Sequence, residues 1–258
     1  MLLKLMKYDL KSIFKKMVFY YIVVIGLAIF SKILLLIFEN TRFAAIASLP
    51  TTLFFISLSL CNIVTMIISM IRYYKNMLSD EGYLTHTLPV KRSTILFAKL
   101  LSALIAEIVS LLVMSISVFI FSPELILLLL DEILIAIQSL ITSYNGTVYY
   151  ILFLVILEII IYSVCKVTEV AMCLTLGASH NKNKLVMAFV YYIGINFVLQ
   201  IIMGIIISVV SIVIFSLPTL TINIFYIVMY MAIFLTLLYL IGTYLINYLT
   251  LKKKLNLQ

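Results

Sequence analysis

PELILLLLDEILIAIQSLITSY, residues 123–144, is long and apolar enough to cross a bilayer, and whether it crosses decides how the chain is threaded. About 20 helical residues span about 30 Å of hydrocarbon. Against a crossing stand Asp131 and Glu132, adjacent at the middle of the segment. Each would cost about 2.5–3.5 kcal/mol at a bilayer centre. Parity supplies a second argument. Six other stretches reach spanning length: 17–38, 49–71, 95–121, 148–170, 185–215 and 222–250. A seventh crossing would put Lys182, Lys184 and the tail Lys252, Lys253 and Lys254 on the opposite side from Lys91 and Arg92. With six spans, both termini and all the Lys-rich loops share one face, which the positive-inside rule makes cytoplasmic. On the other face only Lys32 and Arg42 stand near a span end, and residues 122–147 contain no Lys or Arg. Residues 123–144 are therefore read as an external segment before the fourth span, lying in the interface or dipping into it.

Composition supports the same class. The chain is 65% hydrophobic and 11% charged over 258 residues, with a mean hydropathy of +1.27. A soluble domain carries roughly 25% charged residues. Too little polar surface exists to cover a water-facing sphere, so lipid must solvate most of it. Gly and Pro are scarce and no window alternates with period two, which excludes an outer-membrane barrel. The expected fold is an all-α integral membrane protein, one transmembrane domain over residues 1–258. The net charge of +8 is scattered beside the spans, a matter of topology and not of nucleic-acid binding. Cys61, Cys165 and Cys173 all lie in apolar runs, an odd number without metal spacing, and read as buried thiols. Lys-rich residues before an apolar run, with Ala45-Ile46-Ala47 beyond, resemble a signal peptide. The run 17–38 exceeds a signal core of about 7–15 residues, so a retained first span is the expectation.

Residues 1–16 read as an amphipathic elbow helix at the membrane surface. At helical spacing Leu2, Leu3, Met6, Leu10, Ile13 and Phe14 share one arc, with Lys4, Lys7, Lys11 and Lys15 opposite, toward anionic headgroups. In the long fifth span Gly194 and Gly204 are candidate loosening points.

Enzyme motifs are missing. His86 and His180 are the only histidines and lie in different loops. No HExxH, GxSxG, Walker A or GxGxxG pattern occurs, and no acidic pair has metal-ligand spacing within a span. Metal: none is expected, and the chain is read as non-catalytic. Polar residues inside the spans are Glu107, Glu158, Lys166, Glu169, Asn196 and Gln200. Such residues face a bundle interior or an aqueous path. Glu107 and Glu158, near mid-span, are candidates for a translocation path or for interhelical contacts. Lys166 and Glu169, three apart, can meet on one helix face. Asn196 and Gln200, four apart, suit helix–helix hydrogen bonding.

The polar insert RYYKNMLSDEGYLTHTLPVKR, residues 72–92, is the longest charged segment. Its first residues carry the second span into the headgroup zone. Ser79 can cap a short helix whose first turn holds Asp80 and Glu81, favourable at a positive N-terminal dipole. Tyr83, Leu84, Thr87 and Leu88 share one side until Pro89 ends it. Two turns are too short to be stable alone, and an apolar stripe in water suits docking into a groove of another protein.

The run SDEGYLTHTLPVKRSTILFAKLL resembles the segment between the second and third spans of type-2 class ABC exporter permeases, the small permeases of Gram-positive bacteria above all. The opening LLKLMKYDLKSIFKK is similar to their elbow helix, and six spans with both ends inside match their architecture. The resemblance covers essentially the whole chain, with only these two segments specific. It implies a permease in the cell membrane, homodimeric or heterodimeric, bound to a cytoplasmic ATPase that carries ATP and Mg; this chain would hold no cofactor. Residues 79–88 would be the coupling helix, and Asp80, Glu81, Gly82, Tyr83, Leu84, Thr85, His86, Thr87 and Leu88 would contact the ATPase. Residues 123–144 would correspond to an external helical hairpin. Two rivals stay open: a stand-alone secondary transporter or channel using Glu107 and Glu158, which predicts internal repeats that are not found, and an immunity-type protein that sequesters its ligand without ATP.

Overall fold

Apolar runs without interior breakers should fold as long helices, and the computed structural model, which describes residues 2–38, 44–87, 89–144, 147–180, 182–216 and 221–253, bears this out. Among the described residues there are eight helices and no strand. They are α1 (Leu2–Phe38), α2 (Ala44–Leu78), α3 (Asp80–His86), α4 (Arg92–Phe121), α5 (Pro123–Tyr144), α6 (Thr147–Ala178), α7 (Lys184–Ser216) and α8 (Thr221–Lys253). Within the described residues six of them, α1, α2, α4, α6, α7 and α8, are long and apolar enough to cross a membrane. This is the architecture of an all-helical, multi-pass membrane protein.

Several expectations change in detail. Residues 2–16 are not a discrete elbow but the first turns of α1, which runs unbroken for 37 residues. The cause is a single buried stripe of Met6, Asp9, Ile13, Met17, Tyr21, Val24, Ala28 and Ser31, which keeps its three-or-four-residue phase across residue 16. No Gly or Pro interrupts the chain before Gly26. The buried face is also rotated from the expected arc: Leu3 is 77% exposed and Asp9 only 2%. The second helix runs past residue 71 to Leu78. Residues 123–144, for which the resemblance implies a helical hairpin, form one unbroken helix, with Pro123 at the first helical position, where its missing N–H costs nothing. Helix α7 passes through Gly194 and Gly204 without a break.

The helices group into two compact units, residues 1–73 with 94–143 and residues 74–93 with 144–258. In the first, Ile13, Met17 and Tyr21 of α1 pack with Cys61 of α2 and Ala106 of α4. A second cluster joins Val24, Ala28 and Phe54, flanked by Phe121, whose ring centroid lies 5.0 Å from that of Phe54. Small residues on α4, namely Ser102, Ala103, Ala106, Ser110 and Ser117, are all buried, as expected where helix backbones approach closely in lipid.

In the second unit α6 is the central helix. Close approach of α6 and α7 depends on Gly177: a Cβ there would lie 2.5 Å from the Lys184 carbonyl oxygen and 2.6 Å from the Ala188 Cβ. The turn between them uses Asn183 at φ 54°, a left-handed conformation that Asn tolerates.

Candidate functional site

Helix α3 occupies the polar insert as expected, at seven residues. Its start differs from expectation. Ser79 stands at the N-cap with extended backbone, but its side chain makes no capping bond. Its hydroxyl instead donates to the Lys75 carbonyl, 2.6 Å away on α2, while its own carbonyl accepts the Gly82 N–H at 2.7 Å. A hydroxyl that bonds back four residues competes with capping. Ser79 is thus the single residue joining α2 to α3, tied on both sides. At the other end the Thr87 N–H reaches the Tyr83 carbonyl at 3.1 Å. Glu81, Tyr83 and Thr87 are exposed, Tyr83 by 64%, Thr85 is half-buried and Gly82 is buried. The side chains of Asp80, Leu84 and His86, and Leu88 altogether, lie outside the described residues.

The intramembrane polar residues are divided between the two units. Glu107 belongs to the first unit and is half-buried; its Oε1 has no hydrogen-bond partner among the described residues. In the second unit Glu158 accepts from the Thr236 hydroxyl of α8 at 3.1 Å. Further along the same seam Cys165 Sγ donates to the Thr236 carbonyl at 3.3 Å, and the Thr168 and Thr243 hydroxyls meet at 3.2 Å. These bonds recur along the α6–α8 contact and tie the two helices together.

A separate cluster links α6 to α7. Glu169 is 0% exposed. Lys166 Nζ donates to Glu169 Oε2 at 3.0 Å and to Asn196 Oδ1 at 3.1 Å, while Asn196 Nδ2 donates to Glu169 Oε1 at 2.6 Å. Both Glu169 oxygens accept a hydrogen bond within the triangle, and Asn196 Nδ2 also donates to the Tyr192 carbonyl at 2.9 Å, so the buried carboxylate is fully satisfied. The expected i,i+3 meeting of Lys166 and Glu169 and the role of Asn196 between helices are both present. Gln200, one turn on, is exposed and makes no hydrogen bond to a described residue. The thiols Cys61, Cys165 and Cys173 are free and buried.

Sequence reasoning missed one cluster. Asp9 of α1 lies 2.6 Å from Lys99 Nζ of α4 and 3.4 Å from Arg72 Nε of α2. Asp9 and Lys99 are 2% and 7% exposed. The available signal was that Asp9 is the only acidic residue in the first 38 and lies beside the apolar arc. Lys4, Lys7, Lys11 and Lys15 are exposed, as the amphipathic pattern predicts. Among the described residues no group of three His, Cys, Asp or Glu could hold a metal ion. No protein-family model, curated protein or solved structure matches the chain.

Proposed function

We propose that this protein is the membrane-spanning permease subunit of an ATP-driven exporter of the type-2 ABC class. One observation carries the reading: a two-turn helix set between two membrane-length helices, joined to the first by a single residue. An isolated helix of that length gains little from its own hydrogen bonds. Held at the end of α2 with Glu81 and Tyr83 exposed, it is suited to seat in a groove of a partner.

The mechanism follows from that joint. Helix α2 is continuous for 35 residues, about 50 Å at the helical rise. A push on α3 passes through Ser79 straight into α2, with no loop to absorb it. On the far side only residues 87–91 separate α3 from α4. Closure of two ATPases on ATP would thus displace membrane helices of a permease dimer and switch access between the two faces. Six spans give an even parity, so both termini and the basic loops would face the cytoplasm with α3. ATP and Mg would belong to the ATPase.

The test is copurification from the native host. A tagged chain should recover an ATPase, and a chain that never does sinks the reading. Replacing Glu81, Leu84 and Leu88 by Ala should leave membrane insertion intact and abolish recovery of the ATPase. Recovery undiminished by the triple substitution would refute the assignment of α3.

A further inference from the structure

The cluster at the end of the first unit holds two cations against one carboxylate. Asp9 and Lys99 form its buried part, at 2.6 Å. Arg72 stands at the rim, its side chain 29% exposed, and reaches Asp9 only through Nε, at 3.4 Å. Its two terminal nitrogens have no hydrogen-bond partner among the described residues. A guanidinium anchored by Nε to a buried carboxylate presents its other edge, two parallel N–H groups, away from the anchor. That edge matches the spacing of two oxygens on one phosphate.

The surroundings specify the ligand further. Arg72 follows directly on the apolar run of α2, so it sits where hydrocarbon gives way to headgroups. Ile63, Ile67 and Ile71 lie at four-residue intervals, each exposed, and make an apolar line ending beside Arg72. On α1, the helix that supplies Asp9, Lys7, Lys11, Lys15 and Lys16 are exposed on the turns around it. A phosphate here would have an acyl track on one side and positive potential on the other.

We propose that the Asp9–Lys99–Arg72 cluster is a binding site for the phosphodiester of an anionic phospholipid, gripped by the outward edge of Arg72. Asp9 acts as a positioning residue that aims the guanidinium. The inference stands on the membrane fold alone and does not require the exporter reading.

The experiment uses the purified full-length chain, stripped of lipid in detergent and titrated with dioleoyl-phosphatidylglycerol, dioleoyl-phosphatidylcholine or inorganic phosphate, with bound lipid counted by native mass spectrometry. Wild type should retain phosphatidylglycerol in preference to phosphatidylcholine. R72Q should weaken that retention about tenfold, the loss of a charge-assisted bidentate pair. R72K keeps the charge without the fork and should also bind more weakly than wild type. K75Q, three residues on and exposed, should bind as wild type does. Equal retention of the two lipids, wild-type binding by R72Q, or an equal loss in K75Q would overturn the proposal. Displacement of the lipid by inorganic phosphate at matched concentration would overturn its lipid assignment. A melting temperature for R72Q near that of wild type certifies the fold; should R72Q fail to fold, the R72K comparison decides.

Discussion

Gly177→Ala tests the α6–α7 packing most sharply, because one methyl group meets backbone. The added Cβ would fall 2.6 Å from both the Ala188 Cβ and the Ala188 nitrogen and 2.5 Å from the Lys184 oxygen. Carbon atoms at rest are about 3.5–4.0 Å apart, so α7 must withdraw by about 1 Å. Moved as a rod, it stretches the 2.6 Å bond from Asn196 Nδ2 to Glu169 Oε1 to about 3.6 Å, outside hydrogen-bonding range. Overpacking costs about 1–3 kcal/mol, and each interhelical bond in a membrane protein adds about 0.6 kcal/mol. At about 2–4 °C per kcal/mol for a chain near this size, melting should fall by several degrees. Cys165 and Cys173, each 2% exposed on α6, report the transition through a thiol-reactive fluorophore in detergent. Gly194→Ala is the control: nothing lies within 4 Å of its Cβ position, and Ala favours helix over Gly by about 1 kcal/mol. A Gly177→Ala protein that melts at or above wild type refutes the close approach of α6 and α7.

In the Lys166–Glu169–Asn196 triangle, Lys166→Met should be more damaging than Glu169→Leu, since Glu169 is 0% exposed whereas the Lys166 side chain is 30% exposed and can turn toward water. Stranding a buried charge costs about 3–5 kcal/mol, and the double variant should recover much of it; a double variant as unstable as the sum of both singles would contradict this, by the same melting assay. Asp9→Ala should lower the melting of a variant whose only thiol is Cys61 by more than Arg72→Gln does, because it removes the carboxylate 2.6 Å from buried Lys99. Equal shifts would count against Asp9 as the centre of its cluster.

The spans were readable because lipid demands about 20 apolar residues in a row, a purely local signal. Lys166 with Glu169 was readable for the same reason, three residues apart on one helix. The Asp9–Lys99 pair was not, since its members are 90 residues apart, and the lone acid among the lysines of α1 does not name its partner. Gly177 also escaped notice: a glycine close to a helix end reads as a stop signal, whereas its function depends on what approaches from α7. Gly194 and Gly204, singled out for lying mid-span, border open space. The capping expectation at Ser79 failed through local competition, the hydroxyl taking the Lys75 carbonyl in place of a free N–H.

The same contrast bears on how substrate would pass. Most span hydroxyls donate to their own helix three or four residues back, as Ser57, Ser110, Ser115, Ser163 and Ser208 do, and so have no proton left for a cargo. The charged residues of α6 and the amide of Asn196 are spent on one another or on Thr236. On α7 Gln200 remains, an amide exposed among Phe197, Ile201 and Met203, which are themselves exposed. An unpaired amide against lipid tails costs several kcal/mol, so it should face protein or water instead. A path built between two copies of the chain would satisfy it. Gln200→Cys, in a protein lacking Cys61, Cys165 and Cys173, should then cross-link to a second copy under mild oxidation in native membranes. An α7 position two residues away, half a turn around on the opposite face, Val198→Cys, should cross-link far less. If Gln200→Cys stays monomeric and is also unreactive to a water-soluble maleimide, the amide faces lipid and the two-copy path is wrong.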